Sequence, residues 1–421
     1  MSSEPGTMTV EKGYKVTEVG VIPEEWEACQ LKDISDFITK GATPTTYGFD
    51  WQDEGILFLK SDCITPSGFS YGQCKFISAE AHRSMKRSVV KAGDILMSIT
   101  GYIGKVAVVP EYVEEANINQ HIARIRVTSS KHDSRFTYYS LLAPGQTKLL
   151  VKDCTGQAYP QLSLEQVRNV TIYAPPLPEQ EKISEVLSTV DEHIGETEDL
   201  IEQTETLKKG MMQRLLTQGI GHTKFKDTEI GRIPAEWEVC TLTNIASVIM
   251  GQSPASESYN DKQKGLPFYQ GNADFGEKYP TTRVWCSSPS KIVPEGSILI
   301  SVRAPVGAIN ISDTISCIGR GLAGIKIESD ITQSYIYFYL QQHRSRLAKV
   351  SQGSTFLAIG STELKEFLLA LPTYSEQRDI ADILTAIDDR IGEYRAKLEA
   401  LTRLKSGLMQ QLLTGKTRVR V

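Results

Sequence analysis

The sequence predicts an α+β protein: two globular domains of mixed α/β structure, each followed by a long helix, with the two helices packing as an antiparallel coiled coil under an internal pseudo-two-fold repeat. Three observations lead there. The chain of 421 residues repeats itself at both ends of each half. Heptad-spaced apolar residues run through the second repeated segment of each half. The stretches between read as short strands broken by Gly, Pro, Asn and Asp.

The repeat comes first in chain order. Thr17 to Ile34, TEVGVIPEEWEACQLKDI, returns as Thr228 to Ile245, TEIGRIPAEWEVCTLTNI, with 11 of 18 positions identical. Glu179 to Thr217 returns as Glu376 to Thr414, with 17 of 39 identical. Between these anchors the match weakens to pieces such as GDILMSITGYIG (from Gly93) against GSILISVRAPVG (from Gly296), and the second interior is 14 residues shorter. The expected layout is an N-terminal tail (1–16), a first domain (17–175), a central helix (176–217), a linker (218–227), a second domain (228–371), a C-terminal helix (372–414) and a basic tail (415–421). A duplicated enzyme keeps its chemical residues in both interiors; a duplicated scaffold with two different binding heads keeps its ends and lets the interiors diverge.

Strand-like runs in the first domain are Ile56–Lys60, Asp94–Thr100, Lys105–Val109 and Ile122–Val127, and in the second Ser297–Val302 and Leu322–Ile327. Phe136–Leu142 and Ser334–Leu340 read as helices. In the central helix the spacing alternates four and three through Ile183, Leu187, Val190, Ile194, Thr197, Ile201 and Thr204, continuing to Leu207, Met211 and Leu215. The second copy places Ile380, Leu384, Ile387, Ile391, Tyr394, Leu398 and Leu401 alike, then Leu404, Leu408 and Leu412. An average step of 3.5 is a coiled-coil seam. Pro176 and Pro178 mark a helix start, and Gly219 and Gly415 mark stops. Thirty-nine helical residues rise about 58 Å, too long to bury in one small domain, so each seam needs the other as its partner.

Composition is that of an ordinary globular protein, with 40% hydrophobic and 23% charged residues and no apolar run near the length of a membrane span. The polar N-terminus lacks the apolar stretch of a signal peptide, so a cytoplasmic protein is expected. Seven cysteines without a CxxC pair, and six scattered histidines, suggest neither a disulfide framework nor a metal site. The formal charge of −5 misleads: the two repeated helical segments contribute −7, leaving the rest of the chain at +2. The acid sits on the helices and not on the domains.

The paired entries G-x-I-P-x-x-W-E (Gly20–Glu27 and Gly231–Glu238) and the helix start L-P-x-x-E-Q-x-x-I resemble the specificity subunits of type I restriction-modification systems. The helix start is Leu177, Pro178, Glu179, Gln180 and Ile183 in the first copy. In the second, Leu371 and Pro372 stand further from Glu376, Gln377 and Ile380. The resemblance spans nearly the whole chain. It implies two target-recognition domains that each bind half of a split double-stranded DNA sequence, and helices that set the gap while docking two modification (methyltransferase) subunits. It also implies adenine methylation by those partners, S-adenosylmethionine bound by them and not by this chain, and restriction when motor/endonuclease subunits join.

Base readout needs Arg, Lys, Asn, Gln, Ser or Thr on loops, with phosphate contacts beside them. In the first domain the candidates are Thr39, Lys40 and Thr43 on the GATPTT loop; Lys60, Ser61 and Asp62 after a strand; Thr100, Tyr102 and Lys105 around the GYIGK turn; and Asn119, Gln120 and His121. The matching loops of the second domain supply Gln252 and Ser253, Gln270 and Asn272, Ser301 and Arg303, and Arg320. The segments GQAYPQLS (from Gly156) and GSTFLAIG (from Gly353) occupy matching places before the helices.

Catalytic patterns are missing. The Pro175-Pro176 pair lacks the preceding Asn or Asp and following aromatic of an adenine methyltransferase. Gly319–Gly324 fits G-x-G-x-x-G but leads into a strand-like IKIE instead of a helix, and GYIGK lacks the rest of a P-loop. Two other readings remain: a self-contained DNA methyltransferase, and a stand-alone sequence-specific DNA-binding protein or coiled-coil adaptor.

Overall fold

Five of the helices among the described residues organise the chain: α1 (Ala79–Ser84), α2 (Ser134–Leu142), α3 (Leu177–Gln218), α4 (Asp330–Gln342) and α5 (Tyr374–Leu412). The computed structural model describes residues 12–65, 68–72, 74–152, 154, 160–350 and 358–420. The expected N-terminal tail lies mostly outside these residues, as do 156–159 and 353–357 of the two segments before the helices. Two compact units emerge. Unit 1 is the chain up to Thr197 together with everything from Lys397 on; unit 2 is Glu198–Ala396. α3 and α5 are each shared between the units, burying one end in each.

In unit 1 an antiparallel sheet orders Val106–Val108, Ile95–Ser98, Ile122–Ile125 and Thr39–Lys40. A second sheet orders Lys75–Ile77, Ile56–Leu59, Ala116–Ile118 and Val89–Val90, the central pair being parallel. Ile95–Ser98 is buried at all four positions because each face meets a different core. Ile95 and Met97 enter the cluster around Trp26 and Phe136, while Leu96 points into a second cluster with Leu59 and Ile118. Alternation of side chains along a strand requires this division. α2 begins where Asp133 accepts the Phe136 N–H at 2.6 Å.

Unit 2 repeats the plan. One sheet orders Ser247–Met250, Leu322–Lys326, Ile298–Ser301 and Ile309–Ile311. The other contains the parallel pair of Leu266–Tyr269 and Ser316–Ile318. Ile298 and Ile300 join Trp237 and Tyr335 in the main core, and Leu299 faces a smaller one.

The repeated motifs close both units. The strand after each tryptophan, Glu27–Gln30 or Glu238–Thr241, pairs with the strand that leads into the long helix, Thr171–Ala174 or Leu368–Leu371. Gln180 of α3 donates to the Pro175 carbonyl at 2.7 Å, and Gln377 of α5 to Pro372 at 2.8 Å. That is the structural work of the E-Q pair.

The helices run antiparallel within each unit. In unit 1 Glu179 meets Arg418 beyond the end of α5, and Asp191 meets Lys405 at 2.6 Å. In unit 2 Glu205 meets Arg395, and Lys208 meets Asp388 at 2.5 Å. Ile183, Leu187 and Val190 are buried in unit 1, as are Ile380, Leu384 and Ile391 in unit 2. Ile194, Ile201, Ile387, Leu398 and Leu401 are half-buried along the same faces. Leu207 and Leu404 depart from the expected seam, being 54% and 50% exposed. The heptad step of four from Thr204 and Leu401 lands on Lys208 and Lys405, whose stems pack inward while their ammonium groups reach the facing aspartates. Among the described residues no helix is long and apolar enough to cross a membrane.

Candidate nucleic-acid interface

In unit 1 four loops converge at one edge of the two sheets. Strand Thr39–Lys40 continues into Gly41, whose N–H donates to the Asn119 carbonyl at 3.1 Å. A Cβ on Gly41 would fall 1.7 Å from the Ile118 carbonyl oxygen, so this crossing admits only glycine. Thr43 Oγ1 donates to Gln120 Oε1 at 2.8 Å, and the Gln120 amide stands 3.1 Å from the His121 ring. The Asn119 N–H donates to the Leu59 carbonyl at 3.1 Å, which brings Lys60, Ser61 and Asp62 alongside. That turn is anchored by Cys63, whose sulfur accepts the Lys60 N–H at 3.3 Å and lies 3.0 Å from Cys74 Sγ; the hydrogen bond from Cys74 holds the Cys63 thiol below its ordinary pKa. Ile99 N–H donates to the His121 carbonyl at 2.9 Å, setting the turn with Thr100, Tyr102 and Lys105 next to the same loop.

Unit 2 shares two of these backbone bonds and crosses its glycine against a neighbouring carbonyl. Gly251 N–H donates to the Leu322 carbonyl at 2.9 Å, and a Cβ there would lie 2.1 Å from the Gly319 carbonyl oxygen. Gly319 N–H donates to the Tyr269 carbonyl at 2.8 Å, and Val302 N–H to Gly321 at 3.0 Å. Gln252, Gln270, Arg303 and Arg320 are therefore brought together and are all exposed. Superposing these bonds pairs Lys60 with Gln270, Gln120 with Arg320 and Thr100 with Arg303. The scaffold is shared and the side chains differ.

The candidates divide by exposure. Lys40, Asp62 and Tyr102 are exposed, as is Ser253, and Lys105 stacks its ammonium 4.6 Å from the Tyr102 ring centre. Thr43, Lys60, Ser61, Gln120 and His121 are half-buried, as is Asn272. Thr39, Thr100 and Asn119 are buried, and Asn119 Oδ1 accepts the His121 N–H at 3.1 Å. Ser301 is 1% exposed; its hydroxyl donates to the Pro305 carbonyl at 2.7 Å and accepts the Ala308 N–H at 2.9 Å. These four hold the loops in shape and present little to a ligand. Matching loops between halves also passes over a basic run found in one half alone, Arg83 to Lys91. Among the described residues no group of three or more His, Cys, Asp or Glu stands ready to hold a metal ion.

The comparisons with known proteins agree with this layout. The family described as the type I restriction modification DNA specificity domain matches residues 23–206 and again 234–403. The chain is 36% identical over 419 residues to the type I restriction enzyme MjaX specificity subunit of Methanocaldococcus jannaschii, covering 97% of this chain and 98% of the relative. It is 26% identical over 434 residues to the MjaVIII specificity subunit of the same organism, covering 97% of each. A chain from a structure of the type I R-M system, solved to explain its complex assembly and conformational transition, matches at 26% identity with a TM-score of 0.57 over 94% of this chain and 99% of that one. The type I restriction-modification S subunit from M. genitalium shares the fold, with a TM-score of 0.63 at 16% identity over 92% of this chain and 96% of that one. With two copies of the family domain, each carrying one of two unlike loop sets on a shared backbone, the chain belongs to the DNA specificity subunits of type I restriction-modification systems, the components that supply DNA sequence recognition.

Proposed function

We propose that this chain is the non-catalytic reader of its system. Each loop set binds one half of a bipartite duplex target, two modification subunits methylate an adenine in each half, and motor/endonuclease subunits cut DNA that lacks the marks. S-adenosylmethionine belongs to the modification subunits. The chain works in the cytoplasm, where its DNA is.

One observation carries the reading: matching backbone hydrogen bonds present unlike side chains, with Lys60 and Gln120 in unit 1 where unit 2 has Gln270 and Arg320. Arg is suited to the O6/N7 edge of guanine and Gln to the N6/N7 edge of adenine, so the two sets read different bases. The test is a genome-wide map of methylated adenines in the host with and without this gene. A split motif should disappear when the gene is removed, and an unchanged map would refute the reading. Inserting four residues, one helical turn, into both α3 and α5 is expected to lengthen the unread gap in that motif; a constant gap would refute the idea that helix length sets it. Titrating S-adenosylmethionine into the pure chain should give no heat of binding.

A further inference from the structure

Between the strands Lys75–Ile77 and Val89–Val90, unit 1 has eleven residues, Ser78 to Ser88, where unit 2 has five, Ser287 to Lys291. The extra residues form α1 and a 3-10 turn, Lys86–Ser88. The inserted piece is firmly seated. Ser78 caps α1 by accepting the Ala81 N–H at 3.1 Å, and Ala81 and Met85 are buried against Phe58 and Ile77. Asn117, wholly buried on the strand beneath, donates to Ser88 Oγ at 2.7 Å and to the Met85 carbonyl at 3.2 Å, while its Oδ1 lies 2.6 Å from His82 Nδ1.

With one face fixed in the core, the other presents Arg83, Lys86 and Arg87, all exposed. The turn lies against strand Thr39–Lys40, and the buried Arg124 of the neighbouring strand donates to the Val89 carbonyl, binding the two pieces together. Lys40, exposed beside Gly41, thereby extends the row to the edge of the candidate interface. None of these four cations pairs with an acid among the described residues; Glu115 is taken by His82 at 3.0 Å, and Glu80 makes no ion pair with them. In the shorter link of unit 2 the only cation is Lys291.

We infer that Lys40, Arg83, Lys86 and Arg87 form a ridge that docks the phosphate backbone of duplex DNA, present in unit 1 and without a counterpart in unit 2. The inference rests on the DNA-reading function above and extends it to a sequence-independent contact. Like charges crowded on a rigid support repel one another, and a polyanion relieves that repulsion while releasing its counterions. The position continuous with Lys40 and the loop set of unit 1 selects DNA as the occupant over an acidic protein surface. Unit 1 then supplies an anchoring, salt-sensitive share of affinity that the opposite loop set lacks.

The test measures affinity of the full-length chain, with its modification subunits if they co-purify, for a mixed-sequence duplex and for a duplex carrying the methylated motif, across a series of salt concentrations. The double variant Lys86→Ala/Arg87→Ala should weaken both duplexes by a similar factor, about tenfold at physiological salt. It should also make the slope of log affinity against log salt shallower by about two, since each phosphate contact contributes roughly 0.9. The preference for the motif should not change. Lys86→Arg/Arg87→Lys should restore the slope, and Lys397→Ala on α5 should leave it alone. A normal slope in the double variant overturns the ridge while leaving the reader intact; lost subunit assembly with normal DNA affinity assigns the surface to a protein partner and also overturns it. Failure of the unmodified chain to bind any duplex overturns both proposals.

Discussion

The two places where a long helix ends and a tryptophan begins the next motif are built to one plan and closed by different chemistry. In unit 2, Glu376 accepts from Trp237 Nε1, from the Ile220 N–H and from His222, each at 2.9 Å. In unit 1 the equivalent Glu179 is clamped by Arg418 Nε and Nη2, at 2.7 and 2.6 Å, and Trp26 Nε1 is buried with no hydrogen-bond partner among the described residues. His222 follows Gly219 by three residues as Arg418 follows Gly415, and both glycines sit at positive φ with a tryptophan ring closing over them. What reads in sequence as a linker in one half and a basic tail in the other is therefore the same structural piece. The difference teaches that the C-terminal residues complete unit 1: Tyr14 donates to the Gly415 carbonyl, and Arg418 also reaches Glu25.

The largest expected effect tests whether the tryptophans are equivalent anchors. Trp237→Ala empties a fully buried site and should cost about 4 kcal/mol, seen as lost hydrogen-exchange protection across Glu198–Ala396 before the rest of the chain. Next, Arg418→Ala leaves Glu179, whose side chain is 5% exposed, without its cation; a loss of about 2 kcal/mol is expected in unit 1, tempered by the 41% exposure of Arg418. His222→Ala should cost unit 2 less, because Glu376 keeps two other donors.

Arg320→Ala and Gln120→Ala sharpen the comparison at the loops. Each should relax base preference in one half of the target only, by about 1–3 kcal/mol of discrimination, as read from the methylated motif. Relaxation of both halves by one variant would break the assignment of one loop set to one half-site. The smallest effect compares Trp237→Phe with Trp26→Phe. The first should be more destabilising by about 1 kcal/mol, because it alone removes a hydrogen bond to a half-buried carboxylate. Equal costs in denaturant unfolding would mean that the Glu376 bond contributes nothing.

Much of the architecture was legible because repetition and periodicity are properties of the chain itself. The six strand runs read from the sequence, α2, α4 and both long helices stand where alternation and heptads put them, with ends displaced by a few residues. The seam was misread only at Leu207 and Leu404, where hydrophobicity and heptad phase disagree by one residue. Phase wins, since a lysine with a facing aspartate is tolerated at the seam whereas a residue one position away points outward. In the candidate site, the order of the loops was readable. That Thr39, Thr100, Asn119 and Ser301 are spent inside the turns was not, because a polar side chain looks alike in sequence whether its partner is backbone or solvent.

By itself the sequence determined that there are two similar units, that long helices pair antiparallel, and which loops differ between the halves. These follow from patterns local along the chain. Only the tertiary structure decided that the last residues belong to unit 1, that the aspartates and lysines of the seam face each other, and that a turn present in one unit carries Lys86 and Arg87 against the strand of Lys40. Those outcomes depend on residues tens to hundreds of positions apart meeting in space, and burial and hydrogen bonding between such residues leave no periodic trace in the order of the amino acids.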